Sequence, residues 1–138
     1  MPATTTFDLL DRARATLVAA HRSETTNDRY IQAHLATLRS AAAVVAARTP
    51  RRSRRGAPMR DTWAVLVLLA PEFTEWADYF ALCGARRGAL ESGQYASPRE
   101  ADDLLRDAET FHGLVLAALG LPLDSGAVDP GLAVAGRG

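Results

Sequence analysis

Lysine is absent from this chain of 138 residues, and all 16 of its basic side chains are arginine. That absence fits a GC-rich coding bias as well as it fits a need for forked phosphate contacts, so alone it selects no function. Cysteine is nearly absent. Cys83 stands by itself, which excludes an internal disulfide and any zinc site built from several cysteines, and suits a reducing compartment. Long apolar runs are missing as well. The longest, Trp63 to Ala70, falls far short of the roughly 20 residues of a membrane helix, and the opening MPATTTFDLLDRAR lacks the basic-then-apolar order of a signal peptide. The expectation is a soluble, cytoplasmic protein with no membrane partner. Net charge is zero, with 16 acidic residues against 16 basic, so overall charge points to neither a nucleic acid nor an acidic partner. Alternating strand patterns and internal repeats are lacking too.

What remains is helical. A chain of this length fits one domain that buries roughly two thirds of its unfolded surface. A first helix is expected over 7–22, with Thr6 as N-cap and Phe7, Leu10, Leu17 and Val18 on one face; Arg14 and His21 fall on that same face. The polar turn SETTND leads, through a cap within Thr25–Asn27, into a central helix, NDRYIQAHLATLRSAAAVVAAR. There Tyr30, Ile31, Leu35, Leu38, Ala42 and Val45 form a broad apolar stripe. Ala33, Ala36, Ser40, Ala43 and Ala47 form a second face of small side chains that lets another backbone come close, within the protein or across a dimer. The short turn makes the first two helices antiparallel neighbours.

From Arg48 the stretch RTPRRSRRGAPMR packs six arginines, two prolines and a glycine into thirteen residues. It reads as a loop, either a solvated linker or a basic strap in which Arg51, Arg52, Arg54 and Arg55 hold a phosphate backbone. The run WAVLVLLA is a buried segment, and Pro71 kinks or splits the third helix. After it, Phe73, Trp76, Ala77, Phe80 and Cys83 make a core stripe, with Cys83 packing rather than reacting. Ser97, Pro98 and Glu100 open the last helix as cap, first residue and capping-box partner, and Gly120 and Pro122 close it. Its inward stripe runs from Ala101 through Leu104, Ala108 and Phe111 to Val115. The domain is assigned to 1–122 and a disordered tail to 123–138. Three scattered histidines offer no metal ligand set, and no cofactor is implied.

The stretches RYIQAHLATLRSAAAVVAAR and SPREADDLLRDAETFHGLVLAALGLP, with the basic loop between them, resemble a small actinobacterial family of HEPN-domain proteins (higher eukaryotes and prokaryotes nucleotide-binding). The resemblance covers most of residues 7–122. It implies an all-α, up-and-down four-helix bundle, commonly a homodimer. Many members of the wider superfamily are metal-independent ribonucleases of toxin–antitoxin or defence systems. Their active pair is an arginine and a histidine with four to six residues between them, assembled across the dimer. The histidine would take the 2′-hydroxyl proton and the arginine would hold the phosphorane.

Every histidine here has such an arginine: Arg14 with His21, Arg29 with His34, Arg106 with His112. Arg106 and His112 match the family placement near the last helix, with Arg29 and His34 in reserve. On straight helices, however, the two members of these pairs point about 120° and about 140° apart. Carboxylates also crowd Arg106 and would repel a phosphate. A third option is a composite of Arg14 and His34, which antiparallel packing would set at similar heights. Two functions follow as expectations: an RNA-directed HEPN protein, or a non-catalytic helical module that dimerises or docks a protein partner.

Overall fold

The computed structural model describes residues 2–50 and 61–123, which form five α-helices and one 3-10 turn, with no strand among the described residues. α1 spans Pro2–His21, α2 Thr26–Arg48, α3 Thr62–Leu69, α4 Thr74–Glu91 and α5 Pro98–Ala118, and the 3-10 turn is Pro71–Phe73. The all-helical reading of the sequence holds. Residues 51–60 of the basic stretch, with Arg51, Arg52, Arg54 and Arg55, lie outside the described residues, as does the tail from residue 124.

Local chemistry sets most helix ends. The Thr25 hydroxyl accepts the Asp28 backbone N–H at the start of α2, Asp61 does the same for Trp63, and Ser97 with Glu100 forms a complete capping box around Pro98. Each such cap is worth about 1 kcal/mol. α1 differs from expectation: it begins at Pro2, so Thr6 lies inside the helix and is not its cap. Past the end of α5 and its C-cap Leu119 comes Gly120, whose φ of 73° only glycine adopts cheaply. There the Leu121 N–H donates back to Leu116 and the Gly120 N–H to Ala117, a Schellman closure that folds Leu121 against the last turn.

The chain breaks at Ala70–Phe73. Pro71 cannot donate, and α3 stops with the Ala70 N–H on Leu66. A continuous helix would carry Trp63 and Phe80 roughly 25 Å apart at 1.5 Å per residue. Their ring centroids are 5.4 Å apart instead, so α3 folds back against α4. Phe80 and Phe111 meet edge-on at 5.1 Å, and Phe73 and Phe111 at 5.4 Å, which locks the break onto α5. Each such aromatic pair adds about 1 kcal/mol beyond its burial.

α2 touches every other helix. Contacts from Arg39 to Thr16 and from Arg29 to Ala20 run it antiparallel to α1; those of Ser40 with His112 and Arg29 with Asp102 run it parallel to α5; those of Tyr30 with Cys83 and His34 with Phe80 run it antiparallel to α4. Ala33, Ala36, Ser40 and Ala43 are fully buried, together with Ala13 and Ala20 of α1, so the small-residue face packs within the protein. The broad apolar stripe does not stay together. Tyr30 is buried, but Ile31, Leu35, Leu38, Ala42 and Val45 are only half-buried. Ala33, Ala36 and Ala43 of the central helix face inward with Val44, Ala47 is exposed, and Ile31, Leu35, Leu38 and Val45 lie at the rim, Leu38 and Val45 packed in part against the core.

Candidate functional site

His34 is buried, 4% exposed, at the contact of α2 with α4. Its Nε2 lies 3.0 Å from the Phe80 carbonyl oxygen. A carbonyl only accepts, so the proton sits on Nε2, and the bare Nδ1 faces the Arg87 guanidinium at 3.5 Å. Burial pushes the imidazole pKa down, the Phe80 bond opposes that shift, and Arg87 adds to it. Gly84 meets the neutral ring closely at Nε2, where an added Cβ would sit 3.2 Å away. This is an imidazole locked into packing.

Arg29 is equally occupied, though not by His34. Its Nε and one terminal nitrogen donate to the carbonyls of Ala20 and His21 at 3.2 and 3.3 Å, satisfying the end of α1, and its other nitrogen reaches Asp102 at 2.7 Å. One guanidinium thereby joins α1, α2 and α5. The guanidinium of Arg106 faces outward, 69% exposed, 3.3 Å from Asp103. His112, on the same helix, faces inward, with Nδ1 3.1 Å from the Ser40 hydroxyl. His21 reaches Glu109 at 2.6 Å. Arg29 and His34 thus bond to separate groups, and Arg106 and His112 face opposite sides of α5.

The composite of Arg14 with His34 is not formed either. Leu10, Ala13, Leu17 and Ala20 fill the inner face of α1, which leaves Phe7, Arg14, Val18 and His21 on its flank. That flank turns toward α5. Arg14 therefore shares with His112, not His34, an open cleft of about 220 Å3 between α1, the end of α5 and the turn after it. The Schellman closure builds one wall, since Leu116 and Leu121 both line the cleft.

Two groups that organise this geometry escaped the sequence reading. Arg87 lacks a histidine at motif spacing and meets His34 only through the α2–α4 pairing. Ser40 read as one more small residue, and its only signal was a hydroxyl in a run of alanines. Cys83 is buried among Tyr30 and the other core groups, and burial pushes its thiol pKa up. Among the described residues no three His, Cys, Asp or Glu side chains gather as a metal site.

An all-helical domain with an alanine-packed central helix and arginine–histidine pairs on three helices is the class that fold and site define. The SAV_6107-like HEPN family matches residues 20–116, more than half of the chain, from the end of α1 to the end of α5. The chain belongs to that HEPN family. Neither the curated proteins nor the solved structures searched give a match. No helix among the described residues is long and apolar enough to cross a membrane.

Proposed function

We propose that this HEPN protein works by binding, as a non-catalytic helical module that associates with a second copy of itself through α2 and α3. The observation that carries this reading is the inverted central helix. Ile31, Leu35, Leu38, Ala42 and Val45 follow the alternating four- and three-residue steps of a helix-pairing seam, and no charge interrupts them. α3, packed against α2, adds an outer side with Ala64 exposed, Leu68 74% exposed, and Val65, Val67 and Leu69 half-buried. Leu38, Val45 and Val67 pack in part against the core, while Ile31, Leu35, Ala64 and Leu68 carry the outer side of a charge-free apolar face that a second copy could cover across a two-fold axis. The course of α2, antiparallel to α1 and α4 and parallel to α5, supports an up-and-down four-helix core with α3 laid beside it. Sedimentation of the full chain should give a dimer at micromolar concentration, and Leu35→Asp with Leu68→Asp should give a folded monomer. A wild-type chain that stays monomeric at about 100 μM removes this reading.

RNA cleavage is the second reading, and one observation favours it: Arg14 and His112 line the same cleft. A histidine base and a guanidinium for the phosphorane are the two groups metal-free cleavage needs, and Arg51, Arg52, Arg54 and Arg55 would add salt-sensitive affinity. In this version Arg106 and Arg29 serve the fold rather than the chemistry. An RNase assay in excess chelator separates the readings. Cleavage lost in His112→Ala and kept in Arg106→Ala supports the cleft; no cleavage by the wild type supports the binding module.

A further inference from the structure

The outer flank of α4 carries a surface that neither reading uses. Glu75, Asp78, Tyr79, Leu82 and Arg86 recur there at three- and four-residue steps, so they are neighbours along one side of the helix. Phe80 and Arg87 turn the other way, to His34. α5 runs alongside, tied on by the Tyr79 hydroxyl, which donates to Asp107 at 2.6 Å, and by the Arg86 guanidinium on Glu100 at 2.7 Å. Between those ties on α4 stands Leu82, 72% exposed, with Tyr79 exposed three residues before it. Ala81 and Ala85 beside it are small and exposed, which leaves room for a partner's side chains to close around the leucine.

One end of this flank is held ready. Arg86 donates to the Gln94 side chain at 2.9 Å and to the Tyr95 carbonyl at 3.0 Å, and Asn27 bonds the backbones of Gln94 and Ala96 at 2.8 Å on either side of Tyr95. The Tyr95 backbone is thus fixed while the residue is 84% exposed. An aromatic carried on a loop that is already ordered gives up little further freedom when a partner covers it, and tyrosine is among the residues that anchor interfaces.

Charge says what covers it. Residues 74–118 hold eight carboxylates against four arginines, whereas residues 1–73 hold six against eleven. On α4 and α5 most carboxylates are paired: Glu91 with Arg87, Glu100 with Arg86, Asp102 with Arg29 and Asp103 with Arg106. Glu75, Asp78 and Asp107 gather around Tyr79 instead, and among the described residues no arginine pairs with them. We infer that this flank docks a cationic segment of a protein partner, which sets arginine or lysine among Glu75, Asp78 and Asp107 and an aliphatic side chain against Leu82. The Tyr79 ring gives such a cation a face to lie on. The same field repels RNA and anionic lipid. Glu75 to Arg86 covers roughly 16 Å of helix at 1.5 Å per residue, about three turns of a partner helix.

The test is selection from a displayed library of random peptides about twelve residues long, enough to run the length of the flank as a helix, with the full chain as bait. Enriched peptides should carry arginine or lysine beside leucine, isoleucine or an aromatic, and should shift amides around Asp78, Tyr79, Leu82 and Tyr95 when titrated by NMR. Glu75→Gln with Asp78→Asn should weaken them roughly tenfold, and Leu82→Ala should do the same. These positions are exposed, so the variants should keep the wild-type circular dichroism and melting temperature. Asp8→Asn with Asp11→Asn removes equal charge from the exposed side of α1 and should leave peptide affinity unchanged. Selection of peptides without basic residues, or of none, would overturn the inference. So would basic peptides that bind the α4 variants as tightly as the wild type, or that lose as much to the α1 pair. Self-association through α2 and α3 is read separately by sedimentation, so failure of one is told apart from failure of the other.

Discussion

Acidification should weaken this fold through one histidine, and His34 is placed to show it. Burial holds its folded-state pKa below the ordinary 6.5. Above that value the ring is neutral whether the chain is folded or not, and its contribution to stability is fully present. As pH falls through the unfolded value, the unfolded chain takes up a proton that the folded chain refuses. Stability is then lost until the depressed folded value is reached. One such proton gives a slope of at most about 1.4 kcal/mol per pH unit. Chemical denaturation of the wild type and of His34→Gln, followed from pH 7.5 to pH 5.5, isolates the effect. The variant keeps a group able to donate to the Phe80 carbonyl but cannot titrate. Carboxylates such as Glu100, whose pKa is lowered chiefly by its bond to Arg86, lose their contribution only at lower pH and cancel in the comparison. The wild type should lose stability faster than His34→Gln across this window. Parallel curves would refute the claim that His34 is locked neutral. They would also restore it as a candidate base near neutral pH.

Two glycines on α4 should respond in opposite ways to the same substitution. Gly88 has open space around its missing Cβ, so Gly88→Ala should stabilise by about 0.5–1 kcal/mol through helix propensity, read as a rise in denaturation midpoint. At Gly84 the Cβ would press on His34 at 3.2 and 3.3 Å, and the ring is held by Phe80, so Gly84→Ala should lower the midpoint and regain it when combined with His34→Ala. Arg29→Ala should cost about 2 kcal/mol, because it leaves the Ala20 and His21 carbonyls and Asp102 without their shared donor, and denaturant titration should show it. Asp102→Asn should cost under 1 kcal/mol, since the ion pair is half-exposed and the two carbonyl bonds survive. Ser97→Ala should cost about 1 kcal/mol and fray α5 in hydrogen exchange, because it removes the hydroxyl that accepts the Glu100 N–H and leaves only the backbone half of the capping box.

Helix identity was legible wherever a local chemical signal existed. Thr25, Ser97 with Glu100, Pro71 and Gly120 each act within a few residues, and each ends or starts an element where the sequence places it. The start of α1 was not legible, because Thr6 offers a cap while the preceding PATT run is itself helical. The facing of α2 was the larger difference. Periodicity marks its aliphatic stripe and its alanine stripe equally well, and size favours burying the aliphatics. What decides the matter is non-local. α1 approaches closely enough to bury Ala13 and Ala20, a distance that only the alanine side of α2 tolerates.

The same non-local logic explains why arginine and histidine spacing was a poor guide to the site. A motif counted along one helix presumes that both residues look the same way, and on α5 they do not: Arg106 reaches Asp103 in solvent while His112 reaches Ser40 in the core. The groups that share space come from different helices, His34 with Arg87 and His112 with Arg14, and each association is set by which flank of one helix its neighbour leaves uncovered. The two differ in access. Arg87 covers a ring that is already committed to Phe80 and tightly met by Gly84, so that association belongs to the fold. Arg14 and His112 border a hollow that the end of α5 builds but does not fill. His112 and Arg14 share an open cleft, so the RNA reading proposed above is to be tested first where α1 meets the end of α5.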